Sequence, residues 1–201
     1  ASQIGNIRII LPPLPEQKKI ADFLDGKCAD IDQIRADIEK QIEILTDYKK
    51  SVITEAVTKG LDPKAKLKDS GIEWIGKIRE HWEVKRVKYI FKEFTKNCVH
   101  GDEYTLLSVS EYYGVAPRSE KIDEDDNLTR ADSLDGYKIC EPNDIVMNIM
   151  LAWKRALGRS DYLGIVSPAY CVYRAIDSNI TDTKYYHYLF RTNLYADVFP
   201  H

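Results

Sequence analysis

Two groups of residues in this 201-residue sequence have the types and spacing for chemistry. Asp69, followed by Glu83-Val84-Lys85, loosely matches the Asp…Glu-x-Lys arrangement of metal-dependent nucleases. There, two carboxylates hold Mg²⁺ and a lysine assists the attacking water. The signal is weak, because Glu-x-Lys arises readily in a chain with 30% charged residues. Asp69 also falls in a polar stretch rather than at a strand end, and a surface salt pattern explains Glu83 and Lys85 as well. The second group consists of long basic and amide side chains suited to nucleic acid. Lys154 and Arg155 follow Trp153 at an expected turn, and nearby Asn148 can address adenine through two hydrogen bonds. Arg118, Lys121 and Arg130 lie within 92–143, a segment without a recognisable motif. Arg86 and Lys88 suit phosphate oxygens. Any one of these residues reads equally as a solvated surface charge. Tyr112 and Tyr113 can stack on or flank a nucleic-acid backbone, but as adjacent strand residues one is expected to face the core. Trp74, Trp82 and Trp153 read as structural anchors before base stackers.

Other chemistries lack their signatures. There is no glycine-rich phosphate loop among only 10 glycines, and no Asn-Pro-Pro-aromatic run of the methyltransferase type. Cys28, Cys98, Cys140 and Cys171 form no CxxC pair, and His81, His100, His187 and His201 are scattered. The expectation is four reduced thiols, no metal site and no cofactor. The net charge of −3 gives no bulk preference for nucleic acid, so a DNA face here must be a local patch. No apolar run approaches the ~20 residues that span a bilayer. The N-terminus lacks the basic and apolar regions of a signal peptide, and a cytoplasmic protein without membrane contact is expected.

These side chains need elements to position them. Ile7, Ile9 and Leu11 suggest a strand within residues 1–12, stopped by Pro12 and Pro13. Pro15 then suits a helix start, Glu16 complements the helix dipole, and no further proline occurs until Pro63. Leu24, Ile31, Ile38, Leu45 and Val52 recur every seven residues, with Cys28, Ile34, Ile42, Tyr48 and Ala56 filling the stripe. The spacing predicts one long helix over 13–60, a rod of roughly 65 Å, ended by Lys59 and Gly60. A period of seven asks for a partner helix; packing on its own globular domain is the alternative. Residues 61–70 read as a polar linker, and 71–201 as a strand-rich α+β domain. Strands are expected at 83–89, 104–109, 144–149 and 165–174, a helix at 185–195, and turns at Asp135-Gly136 and Pro142-Asn143-Asp144. The acidic run 123–126 reads as a solvated loop.

Three stretches together resemble the specificity subunit of Type I restriction–modification enzymes. One is Leu11-Pro12-Pro13-Leu14-Pro15-Glu16-Gln17 with Ile20-Ala21-Asp22-Phe23-Leu24, similar to the family's junction between a target-recognition domain and its spacer helix. Another is Asp69-Ser70-Gly71-Ile72-Glu73-Trp74-Ile75-Gly76 with His81-Trp82-Glu83-Val84-Lys85-Arg86, similar to the opening of a target-recognition domain. The last is Asp144-Ile145-Val146, Ala152-Trp153-Lys154 and Gly164-Ile165-Val166-Ser167-Pro168-Ala169-Tyr170, resembling a strand pair within such domains.

The resemblance implies a non-catalytic subunit that reads double-stranded DNA. In this family, two target-recognition domains are held apart by two antiparallel helices, and each reads half of a split site. Methyltransferase subunits bring S-adenosylmethionine chemistry, and a motor-nuclease subunit brings ATP-driven translocation and cleavage. On this reading residues 1–12 are the closing strand of one recognition domain. The long helix is the spacer, and 71–201 are most of the next domain, ending before its return strand and second helix. An antiparallel homodimer would then complete the arrangement. A coiled-coil assembly protein without DNA binding, and a cryptic Mg²⁺-dependent nuclease, are the competing readings.

Overall fold

The computed structural model describes residues 7–120 and 134–198. Lys121, Arg130 and the acidic run 123–126 lie outside the described residues. The chain divides into two compact units, 1–49 and 50–201.

The first unit is dominated by helix α1, Leu14–Lys59, whose last turns belong to the second unit. Its start is built by the prolines. The amides of Glu16 and Gln17 donate to the Pro13 carbonyl, and the Gln17 side chain donates to the Pro12 carbonyl at 2.6 Å. These bonds satisfy donors that a helix start otherwise leaves open. Leu24, Ile31, Ile38 and Leu45 all lie on α1, and all are exposed. Residues 7–13 have no regular structure, although a strand was expected from Ile7, Ile9 and Leu11. A strand exists only when another strand takes its backbone groups, and Ile7–Leu11 has no such neighbour among the described residues.

The second unit contains the end of α1, where Val52 is exposed but Val57 is buried. Gly60 closes the helix with φ of 72° and its amide bonded to the Ala56 carbonyl, a conformation that favours glycine. Leu67–Asp69 (β1), inside the stretch read as linker, pairs antiparallel with Lys77–Arg79 (β2). The central feature is a four-stranded antiparallel sheet in the order β3-β10-β7-β8, from Phe91–Glu93 (β3), Tyr170–Ala175 (β10), Ile145–Asn148 (β7) and Leu157–Arg159 (β8). Two further antiparallel pairs accompany it: Leu107–Ser110 (β4) with Gly114–Pro117 (β5), and Lys138–Cys140 (β6) with Gly164–Val166 (β9). Helices Thr183–Phe190 (α2) and Asn193–Ala196 (α3) follow.

Alternating apolar residues place the core. Val146 and Val172 lie opposite one another on β7 and β10 and pack with Leu107, Val109, Val115, Cys140 and Val166. Ile145, Phe91 and Leu157 face another cluster with Leu189, Phe190 and Val57. Burial of each such side chain contributes about 1.5–3 kcal/mol. Tyr185 also donates its hydroxyl to the Val57 carbonyl at 3.0 Å.

The architecture is α+β, as expected. The expected strand at 83–89 is instead irregular chain ending in a 3₁₀ turn, Val87–Tyr89. The expected strand at 165–174 is two strands, because the Ser167 carbonyl accepts from the Tyr170 amide and turns the chain. The expected helix at 185–195 breaks after Phe190, and the Thr192 hydroxyl turns back to the Leu189 carbonyl. Asn143 and Gly136 adopt φ of 74° and 82°, in agreement with the turns expected there.

Candidate nucleic-acid interface

Four of the basic residues singled out in the sequence divide between opposite edges of the four-stranded sheet. Arg86 and Lys88 precede β3 at one edge, while Lys154 and Arg155 lie between β7 and β8 at the other. Arg86 and Lys88 are exposed on the turn at Val87–Tyr89, with the Lys88 ammonium 5.2 Å from the Tyr89 ring centroid. Arg118 opens the 3₁₀ turn after β5 and is partly buried, its amide donating to the Leu106 carbonyl.

The β7–β8 connection is the most elaborately built of these places. Asn148 ends β7 and is only 7% exposed; its Oδ1 accepts from the Met150 amide, and its carbonyl accepts from the Leu151 amide. Asn148 thereby shapes the start of the loop through its side-chain oxygen. A 3₁₀ turn, Ala152–Lys154, follows, and buried Ala152 and Ala156 let the loop fold back closely on the core. Arg155 takes the left-handed conformation, φ 65°, which costs a non-glycine residue about 1 kcal/mol. Contacts to the end of α2 and to α3 are among those that hold it there. Its Nη1 donates to Asn193 Oδ1 at 2.8 Å, and its carbonyl accepts from Arg191 at 3.0 Å. Lys154 is exposed, with its ammonium 4.9 Å from the Trp153 ring centroid. The loop therefore offers two cations on a fixed frame, suited to holding phosphates.

Behind it lies His187 of α2. Its Nδ1 accepts the Arg159 amide at 3.1 Å. The ring fits because Gly114 and Gly158 carry no side chain: a Cβ at either position would sit 3.1 or 3.0 Å from the ring. Burial, reinforced by Arg191 and Arg159, pushes the imidazole pKa down to about 4, so it is neutral in the folded protein. The Arg191 guanidinium beside it is also partly buried, which lowers its pKa. Sequence reasoning singled out neither His187 nor Arg191 for this framework. Their positions on the exposed-to-buried boundary of a short aromatic helix were the available signal.

The nuclease-like residues are otherwise engaged. Glu83 and Lys85 form an exposed ion pair at 2.8 Å, which lowers the carboxyl pKa and raises that of the ammonium. Asp69 accepts the Gly71 amide in a tight turn. Among the described residues, no group of three or more His, Cys, Asp or Glu side chains is placed to hold a metal ion. Near Lys85 an open apolar cleft of about 870 Å³ is lined by Trp74, Trp82, Val84, Tyr89, Ile180 and Tyr185. All three tryptophans keep part of their surface in solvent.

Residues 1–44 match the sequence model of the family described as "Type I restriction modification DNA specificity domain". The chain is 42% identical over 104 residues to the Type I restriction enzyme MjaVIII specificity subunit of Methanocaldococcus jannaschii, a match covering 47% of this chain and 23% of the relative. It is 41% identical over 83 residues to the putative type I restriction enzyme MjaX specificity subunit of the same organism, covering 41% of this chain and 18% of that one. The chain spans about a fifth of the length of these curated relatives. Over these parts of its length the chain is similar to Type I restriction–modification specificity subunits.

Proposed function

We propose that this chain recognises double-stranded DNA as part of a non-catalytic specificity subunit in a cytoplasmic Type I restriction–modification complex. The observation that carries this reading is the 42% identity to a specificity subunit, together with the family match over residues 1–44. In this reading the domain 71–201 reads one half of a split site. Lys154 and Arg155 hold the backbone there, and Arg86, Lys88 and Arg118 are further contacts, with Lys121 and Arg130 in the intervening segment. The methyltransferase subunits dock on the assembly and a motor-nuclease subunit joins through it. Among the described residues no helix is long and apolar enough to cross a membrane.

The exposed apolar stripe of α1 supports a second part of the proposal. Ile31, Ile38 and Leu45 are each more than half exposed, and a stripe with a period of seven is covered by another helix in a stable assembly. In an antiparallel homodimer each α1 covers the other, and residues 1–12 serve as the closing strand of the partner's recognition domain. The experiment is binding of the purified chain to a randomised duplex pool at several salt concentrations, with its solution mass measured in parallel. Salt-dependent, sequence-selective retention by a dimer is expected. A dimer that ignores duplex DNA at all salt concentrations leaves only the coiled-coil assembly reading.

A further inference from the structure

Arg191 lies at the end of α2 and donates to four main-chain carbonyls. Nη1 reaches those of Ser110 at 3.2 Å, Arg155 at 3.0 Å and Leu157 at 2.6 Å, and Nη2 reaches that of Glu111 at 2.8 Å. These carbonyls belong to two separate hairpins, β4–β5 and β7–β8. A guanidinium is planar and rigid, so the bases of the two turns are fixed side by side.

What the turns display is apolar. Tyr112 is 84% exposed, Met150 73% and Ile149 50%, and Leu151 and Trp153 are also exposed. The backbone beneath the 149–153 tip is tied down at several points, from the Asn148 side chain through the 3₁₀ turn to the clamped carbonyl of Arg155. Their exposure is therefore a property of a held surface and not of slack chain. Apolar patches with a polar rim mark interaction sites, and here the rim carries two cations, Lys154 and Arg155, against one carboxylate, the half-buried Glu111. Among the described residues, neither Lys154 nor Arg155 pairs with a carboxylate. A partner that meets uncompensated cations and apolar tips together must be anionic outside and apolar inside. Duplex DNA has that chemistry: phosphates along its edges, with thymine methyls and base faces within the groove. The core of a protein interface, by contrast, is depleted in lysine.

The geometry points to the Glu111–Tyr113 turn and the Ile149–Arg155 turn as one composite DNA-reading element. Lys154 and Arg155 rest on phosphates, while Met150, Ile149 and Tyr112 enter the groove against base edges. This inference rests on the proposed recognition of DNA and names the side chains that discriminate between sequences.

The test uses the full chain and duplexes selected from a randomised pool. Tyr112→Ala and Met150→Ala alter only exposed side chains, and unchanged melting verifies that the fold is kept. Each is expected to lower affinity for the selected duplex by roughly tenfold, the scale of one lost base contact. The dependence of affinity on salt should stay unchanged, because no phosphate contact is removed. Reselection with the double variant should yield a broadened sequence preference. Full affinity and an unchanged preference in both variants overturn the inference while leaving DNA recognition intact. Loss of methyltransferase assembly with unchanged duplex binding also overturns it, by assigning the surface to a protein. Failure of the unmodified chain to bind any duplex overturns the DNA reading and this inference together.

Discussion

Arg174 donates from Nε and Nη2 to the two carboxylate oxygens of Asp144, each at 2.8 Å. Asp144 is 1% exposed and also accepts the Glu141 amide, so one buried carboxylate closes the turn before β7 and ties it to β10. The other side of the guanidinium lies 3.8 Å from the Phe94 ring centroid on the segment after β3. Arg174→Met leaves the carboxylate buried without its cation and is expected to destabilise the domain by about 3–5 kcal/mol. Arg174→Lys should recover only part of this, because an ammonium cannot reproduce the planar two-point contact. Urea unfolding monitored by tryptophan fluorescence measures both. Wild-type stability in the methionine variant would show that the pair contributes nothing.

His187 gives the fold a defined acid sensitivity. Its folded pKa, about 4, lies below the ordinary 6.5, so the unfolded chain takes up a proton that the folded chain refuses. Stability from the neutral ring is complete above pH 6.5, declines as pH falls towards 4 and is level below that. Discounted for partial exposure, the loss should be about 2 kcal/mol. His187→Gln should flatten this part of the stability profile. An identical pH dependence of denaturant midpoints in the two proteins would refute the assignment.

Ile38 sits in the middle of the exposed stripe of α1. Ile38→Asp is expected to leave the strand-rich unit folded, because the residue touches none of its core clusters. In a helix-paired assembly the same change buries a lone charge, at a cost of several kcal/mol. Sedimentation should therefore show weakened association at constant circular dichroism of the β-rich part. Unaltered association would place the pairing face elsewhere.

Lys154→Ala removes an exposed cation that makes no hydrogen bond within the described chain. If it holds one phosphate, the log–log slope of affinity against salt should decrease by roughly one, with sequence preference retained. Fluorescence anisotropy between low and moderate salt reads the slope directly. No change in slope would exclude Lys154 as a phosphate contact.

The long helix was legible because its signals are local and repeated. Pro15, the seven-residue period and Lys59-Gly60 each act within a few residues of the boundary they set. Strand β7 and the turns at Asn143 and Gly136 were legible for the same reason. The misread segments depend on distant partners. Val84, Val87 and Tyr89 are residue types that favour strands, but no strand among the described residues takes their amides, and the chain settles into a 3₁₀ turn. Residue type alone did not show that Asn148 Oδ1 accepts the Met150 amide two residues on. Arg191 could not be placed from sequence, since its acceptors lie 34 to 81 positions away.

The acceptors of Arg191 are all peptide oxygens, and this has a consequence for the diversification of such a domain. A clamp on the main chain does not sense which side chains the clamped turns carry. The tips at 112 and 149–151 are therefore interchangeable cassettes on a common chassis. Replacing their residues alters what is displayed without loosening the mount, at little cost to folding. Changing Arg191 itself disturbs both cassettes together, whatever they display.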